Sequence, residues 1–264
     1  MMSKDDIKNG LLAVGLEAGD AVLVHSSLKS FGRVDGGAQP VIDALDETVG
    51  ENGTTLMPGF TRCELTPGWV FDVNNTPVNS TPGEAIGVIA ETFRKNHGTI
   101  RSLHPSHSIL AKGKLANIIT GFHHTCPTPF ASNSPFENLI KANGKILLIG
   151  KDQRINTSVH CFEDRTPNFP YKTYCQTVFE IKMKGYYGED MTIKTKQFDR
   201  SVEDLRDYQN TGGFLVLDER LRANGLMKET TVGNASFRML KIRDLMFILE
   251  GMLKDGITIY TRKL

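Results

Sequence analysis

Residues 156–165 read NTSVHCFEDR and bring an imidazole, a thiol and two carboxylates into the five positions from His160 to Asp164. The run follows KILLIG (residues 145–150), a short apolar stretch that reads as a buried strand. A helix capped by Asn156 or Thr157 puts His160 in its first turn, with Glu163 three residues on and on the same face. The positive end of a helix dipole favours a neutral imidazole, while Glu163 favours the charged form, so the net shift is left open. Thr157 sets a hydroxyl one turn before His160, where it can donate to a developing oxyanion. Cys161 is turned about 100° from His160 by the 3.6-residue helical period, a poor geometry for a nucleophile and its base. From these residues alone, His160 reads equally well as a general base and as a structural residue of an ordinary helix.

Two further clusters carry chemistry. HSSLKSFGRVDGG (residues 25–37) offers the hydroxyls of Ser26, Ser27 and Ser30 and three glycines between a strand and a helix, with Asp35 placed to cap that helix. Such a junction can hold phosphate through backbone N–H groups. It matches neither the dinucleotide fingerprint nor a Walker loop, and an ordinary strand-to-helix turn explains it equally. In RSLHPSHS (residues 101–108), Arg101 can present a guanidinium fork to phosphate, with Ser102 and Ser108 as lesser donors. His104 and His107 are spaced like a pair of metal ligands, with His123 and His124 further on. No acidic or cysteine ligand has matching spacing, and Pro105 interrupts any helix that would aim the pair, so turn and capping roles fit better.

The elements that must position these residues alternate. A helix is expected over residues 7–16, a strand over 21–28, a helix over 38–49 and a strand over 54–60, which together make a βαβ unit with parallel strands. A long polar stretch (61–84) holds the only tryptophan, Trp69. Beyond it come a helix over 84–98, a turn and strand over 101–113, a capped helix over 134–144, the KILLIG strand, and a hairpin over 177–198 turning at GYYGED. Helices are expected near 202–225 and 238–256. The 264 residues, 39% hydrophobic, supply one sizeable core, and a single α/β domain over 1–264 with a central mixed sheet flanked by helices is the expected fold. A net charge of +1 gives no electrostatic case for nucleic acid or an anionic membrane as the main partner. The N-terminal residues lack a signal-like pattern, no apolar run approaches a membrane span, and Cys63, Cys126, Cys161 and Cys175 form no CxxC pair. A cytoplasmic protein without a disulfide framework is expected.

Taken in order, VLVHSSLKSFGRVDGG, TPGEAIGVIAETFR, RSLHPSHSILAKG, SPFENLIKANGKILLIG, NTSVHCFED and VGNASFRMLKIRDL resemble the aminoglycoside N3-acetyltransferase family over about residues 5–254. The resemblance implies an acyltransferase that moves an acyl group from acyl-coenzyme A to an amine on a sugar, without a metal and without a covalent acyl-enzyme. It implies His160 as general base, Thr157 as oxyanion donor and Glu163 as the carboxylate of an HxxE pattern. Ser26, Ser27, Leu28 and Ser30 would cradle the coenzyme, with Arg101, Ser102 and Ser108 helping at its phosphates.

The chain departs from the family where relatives that modify aminoglycosides commonly carry an aspartate six residues before the histidine: here Arg154 stands. With Arg165 and Lys172 it favours an anionic acceptor, a nucleotide-linked amino sugar, over a polycationic aminoglycoside. Arg154, Glu203 and Asp207 are the expected acceptor-side residues, one of the carboxylates in EDLRD being a candidate to orient His160. A metal-dependent hydrolase using His104, His107 and His160, and a coenzyme-binding protein without catalysis, are the readings from other classes. The oligomeric state is left open, a homodimer included.

Overall fold

The computed structural model describes residues 1–61, 68–78, 86–206 and 212–260. In chain order its elements are α1 (Lys4–Ala13), β1 (Ala21–Ser26), α2 (Gln39–Val49), β2 (Thr54–Pro58), β3 (Phe71–Asp72), α3 (Val88–Lys95), β4 (Ile100–Arg101), β5 (Ile109–Gly113), α4 (Ala116–Thr120) and α5 (Pro135–Lys141). Then follow β6 (Lys145–Ile149), α6 (Val159–Arg165), β7 (Phe179–Lys184), β8 (Asp190–Thr195), α7 (Arg200–Glu203), α8 (Gly213–Ala223), β9 (Met227–Val232), β10 (Ala235–Lys241) and α9 (Ile242–Lys254). Among the described residues, seven strands form one sheet in the order β4–β5–β2–β1–β6–β10–β9, and three form a second, β3–β7–β8. The mixed α/β architecture expected from the sequence is the one found.

Strands β2, β1 and β6 are parallel neighbours, and both flanks of the sheet are antiparallel. The parallel strands read as continuous apolar runs because helices cover both their faces. Alternate residues serve opposite layers. Val22, Val24, Leu147 and Ile149 pack with Leu11, Ile42, Leu45 and Phe93 of α1, α2 and α3. Leu23, Ile146 and Leu148 pack with Leu139, Val159, Leu217, Leu245 and Leu249 of α5, α6, α8 and α9. α1 starts at Lys4, earlier than the apolar periodicity implies, because Ser3 and Asp6 form a capping box.

The C-terminal third corrects two expectations. Residues 238–241 are strand, not helix: β9 and β10 form a hairpin turning at Gly233 and Asn234, with Gly233 at φ 59°, and the last helix begins only at Ile242. The one helix expected near 202–225 is two, a short turn at α7 and the longer α8, with residues 207–211 outside the described part.

Gly213, the first residue of α8, packs directly on the backbone of residues 258–259; a methyl group there would run into the Thr258 carbonyl and the Ile259 Cα. Replacing glycine by alanine in a helix commonly stabilises. Gly213→Ala is expected to do the reverse, by about 1–3 kcal/mol, the usual cost of overpacking. A denaturant midpoint equal to or above that of the parent protein would refute it.

Candidate active site

Moving from β1 through α2 to β2 takes the chain one way across the sheet, and β6 lies on the other side of β1. The strand order therefore reverses between β1 and β6, and open α/β sheets bind ligands beyond the carboxyl ends of the strands at such a switch point. Both chemistry-bearing loops of the sequence leave the sheet at this edge. Ser27 donates its N–H to the Ile149 carbonyl at 3.0 Å, and the Ser30 hydroxyl closes its own turn on the Ser27 carbonyl at 2.6 Å. Gly150, at φ 62°, has no side chain where the Ser30 hydroxymethyl lies against it, so the two loops interlock. Ser26, Ser27, Leu28 and Ser30 are all half-buried here. Asp35 does not cap α2; Ala38 holds the cap position, and the Asp35 backbone N–H goes to the Met2 carbonyl. The large groove of about 620 Å³ between residues 31–33 and the β9–β10 turn holds none of the predicted site residues.

The helix that carries His160 starts one residue later than expected. Ser158 is the cap residue, and Asn156 turns its amide to Gln153 while its carbonyl oxygen accepts the Ser158 N–H. His160 falls in the first turn as predicted and is 6% exposed. Its Nδ1 lies 2.9 Å from Glu163 Oε2, and the Tyr260 hydroxyl donates to Glu163 Oε1 at 3.0 Å. An ionised carboxylate only accepts, so Nδ1 carries the proton and Nε2 is the basic nitrogen. Among the described residues, the carboxylate at His160 is Glu163. Phe130 and Phe198 press their rings against the imidazole at 5.3 and 5.1 Å between centroids, and the Arg206 guanidinium stacks over Phe198.

The neighbours sort by what they touch. The Thr157 hydroxyl is buried with no hydrogen-bond partner among the described residues. Burial pushes the Cys161 thiol up, and it faces Glu137 at 3.8 Å, which leaves it inert as a nucleophile. Arg154 is clamped by Asp152, with Nη2 to Oδ2 at 2.6 Å, and Arg165 is paired with Glu137 at 2.7 Å. Glu203 ends α7, but its side chain, like all of Asp207, lies outside the described residues. Asp152 was readable two residues before Arg154. Tyr260, Phe198 and Arg206 gave no local signal in the sequence.

Arg101 is 3% exposed and its guanidinium is spent inside the protein. Nε donates to Ser108 at 2.8 Å, the two terminal nitrogens donate to the carbonyls of Thr76 and Gly59, and the group lies over Phe71. Ser108 in turn donates to the Gly59 carbonyl, and Ser102 donates to His123 Nδ1 while accepting the Ile109 N–H. Arg101 thus ties the large sheet to the β3 side of the smaller one, while Ser102 and Ser108 hold the loops next to it.

The histidines of the second cluster are equally engaged. His104 Nδ1 accepts two backbone N–H groups, of Ser106 and His107, and its Nε2 meets the Thr195 hydroxyl; the ring stacks on His123 at 4.6 Å. His123 Nε2 donates to the Pro129 carbonyl at 2.9 Å. Nitrogens committed in this way are poor metal ligands, and among the described residues no group of three potential ligands is placed to hold a metal.

Burial holds His25, His107 and His123 down to about 3, and His104 well below its ordinary value. Unfolding lets each protonate near pH 6.5, so the stability tied to their neutral forms is present above that pH and lost as pH falls from there toward 3. Each histidine accounts for up to about 1.4 kcal/mol per pH unit in that window. Asp164, raised by burial to about 6, acts in the opposite sense between its ordinary value and 6 and offsets about one of them. Denaturant midpoints should therefore drop steeply between pH 6.5 and 5, and less steeply in His123→Gln, which has one titrating group fewer. A slope unchanged by the substitution would refute this account.

A family profile described as aminoglycoside 3-N-acetyltransferase matches residues 23–254. The prophage-derived aminoglycoside N(3')-acetyltransferase-like protein YokD of Bacillus subtilis (strain 168) is 37% identical over 269 residues, covering 94% of this chain and 91% of the relative. A mutant of aminoglycoside acetyltransferase AAC(3)-IVa, solved with apramycin, superimposes with a TM-score of 0.75 at 25% identity, covering 96% of this chain and 92% of that one. AAC-IIIb, solved with CoASH, shares the fold with a TM-score of 0.78 at 23% identity over 97% of each chain. With its sequence order, sheet topology and His160–Glu163 site, the chain belongs to the aminoglycoside 3-N-acetyltransferase family of coenzyme A-dependent N-acyltransferases.

Proposed function

We propose that the protein transfers an acetyl group from acetyl-coenzyme A to the 3-amino group of an aminoglycoside, with His160 as general base. The observation that carries the mechanism is the 2.9 Å bond from His160 Nδ1 to a Glu163 carboxylate whose side chain is 2% exposed. It fixes the tautomer in which Nε2 can take a proton from the sugar ammonium, directly or through water. The freed amine attacks the thioester carbonyl, and the Thr157 hydroxyl donates to the oxyanion of the tetrahedral intermediate. Collapse breaks the C–S bond, the departing thiolate takes the proton held by His160, and Nε2 then accepts the second proton of the former ammonium as the neutral amide forms and passes it to water. Ser26, Ser27, Leu28 and Ser30 hold the coenzyme at the β1 edge, and Arg101, Ser102 and Ser108 support that edge from behind. Dependence on acyl-coenzyme A supports a cytoplasmic site for the reaction.

A nucleotide-linked acceptor loses its support. That reading drew on Arg154, Arg165 and Lys172 as cations for a phosphate, and the two arginines are each paired with a carboxylate, Asp152 and Glu137 respectively. A paired arginine at position 154 repels a polycation far less than a lone one. The named activities of the relatives point the same way.

A thiol-release assay with acetyl-coenzyme A separates the acceptors: turnover is expected on kanamycin-type aminoglycosides. Turnover confined to nucleotide-linked 3- or 4-amino sugars would overturn the proposal. His160→Ala should lower turnover by ~10²-fold or more with the coenzyme still bound. Thr157→Val should lower kcat by about 10²-fold with little change in KM. Unchanged turnover in either variant removes that residue's role.

A further inference from the structure

We infer that Tyr260 is a positioning residue for this reaction, the third member of a hydrogen-bonded chain running Tyr260–Glu163–His160; this rests on the proposed role of His160 as base. Glu163 has two carboxylate oxygens with separate tasks: Oε2 faces His160 Nδ1 at 2.9 Å and Oε1 takes the Tyr260 hydroxyl at 3.0 Å. The donor fixes the carboxylate rotation that aims Oε2 at the ring, and it draws charge away from the oxygen facing His160. Tyr260 is 4% exposed and its ring is stacked on Tyr171 at 4.4 Å, so the hydroxyl has one direction open to it. Residue 206 is bridged to residue 260 through the backbone, which brings Arg206 beside the same hydroxyl.

The groups facing this chain come from several elements. Asp164 and Tyr174 lie near Glu163, with the Tyr174 hydroxyl 3.4 Å from Asp164 Oδ2. His107 and Arg206 both pack on the ring of Phe198, which itself touches His160. Among the described residues Tyr260 is the hydroxyl that donates to the Glu163 carboxylate, so it is placed to control how strongly that carboxylate pulls on the imidazole.

Tyr260→Phe deletes the hydroxyl and keeps the stacked ring. Losing the donor leaves Glu163 a stronger acceptor for His160 Nδ1–H, which favours the imidazolium. The expected result is a kcat lower by about tenfold, a part of the ~10²–10⁴-fold that a general base contributes, with KM for acetyl-coenzyme A unchanged. The acidic limb of the kcat/KM profile should also move to higher pH. The same shift should appear in the His160 titration followed by NMR on the histidine-labelled protein without substrate, a readout that stands even if no aminoglycoside is turned over. 3-Fluorotyrosine at position 260, a stronger donor on the same ring, should move the limb and the titration to lower pH, and serves if the phenylalanine variant does not fold. Leu11→Ala, which opens a cavity in the opposite helix layer and leaves Tyr260 and its stack untouched, reports the effect of stability alone. A His160 titration unmoved in both Tyr260 variants, or moved equally in Leu11→Ala, overturns the inference. A moved titration with no aminoglycoside turnover in the parent protein overturns the proposed acceptor and leaves Tyr260 its role.

Discussion

The parallel pairing of β1 with β6, in register from Val22 opposite Lys145 to Ser26 opposite Ile149, is the constraint on which the site depends. It brings together two loops more than a hundred residues apart in sequence and makes them leave the sheet at the same edge. A slip of one residue would turn Val24 and Leu148 to the wrong layers and part the loops. Because both strands are apolar on both faces, the helix layers above and below hold the register. The reactive residues ride on its carboxyl ends.

Around that edge the protein buries an unusual amount of polar chemistry for structural ends. Arg101 ties the carbonyls of Gly59 and Thr76 together across the two sheets, and the stacked His104 and His123 close turns and loops through their ring nitrogens. Buried polar groups are costly unless satisfied, and these are satisfied by fixed acceptors rather than by ligand. The contrast with Thr157 is informative. Its hydroxyl is buried a turn from His160 with no hydrogen-bond partner among the described residues, and it is the donor the proposed mechanism calls on.

What the sequence disclosed depended on range. The pairing of His160 with Glu163 spans three residues of one helix, so helical period alone placed both on one face. The apolar runs AVLV and KILLI declared buried strands for the same reason. Arg101 was misread because its partners are backbone carbonyls, which no pattern of side chains announces. Arg154 was misread by weighing its charge alone, although Asp152 stood two residues away. The β9–β10 hairpin was legible in the turn at Gly233 and Asn234 and in the alternation of Ala235, Phe237 and Met239, but the apolar residues of α9 masked it. Tyr260 is 97 residues from Glu163, and only the folded chain shows them bonded.

That long separation has a consequence for how activity is lost. The His160–Glu163 bond forms within one helical turn, whereas Tyr260 reaches it from a segment seated on the start of α8 through the bare backbone of Gly213. The segment around Tyr260 joins the fold through an isolated bridge to Arg206 rather than through the central sheet, and such peripheral segments are among the first to open in local fluctuations. Opening there leaves the parallel strands and the loop of residues 26–30 in place. On the proposed mechanism such states keep the sheet folded and lose the aim of His160, so heat or mild denaturant is expected to silence catalysis before it melts the core.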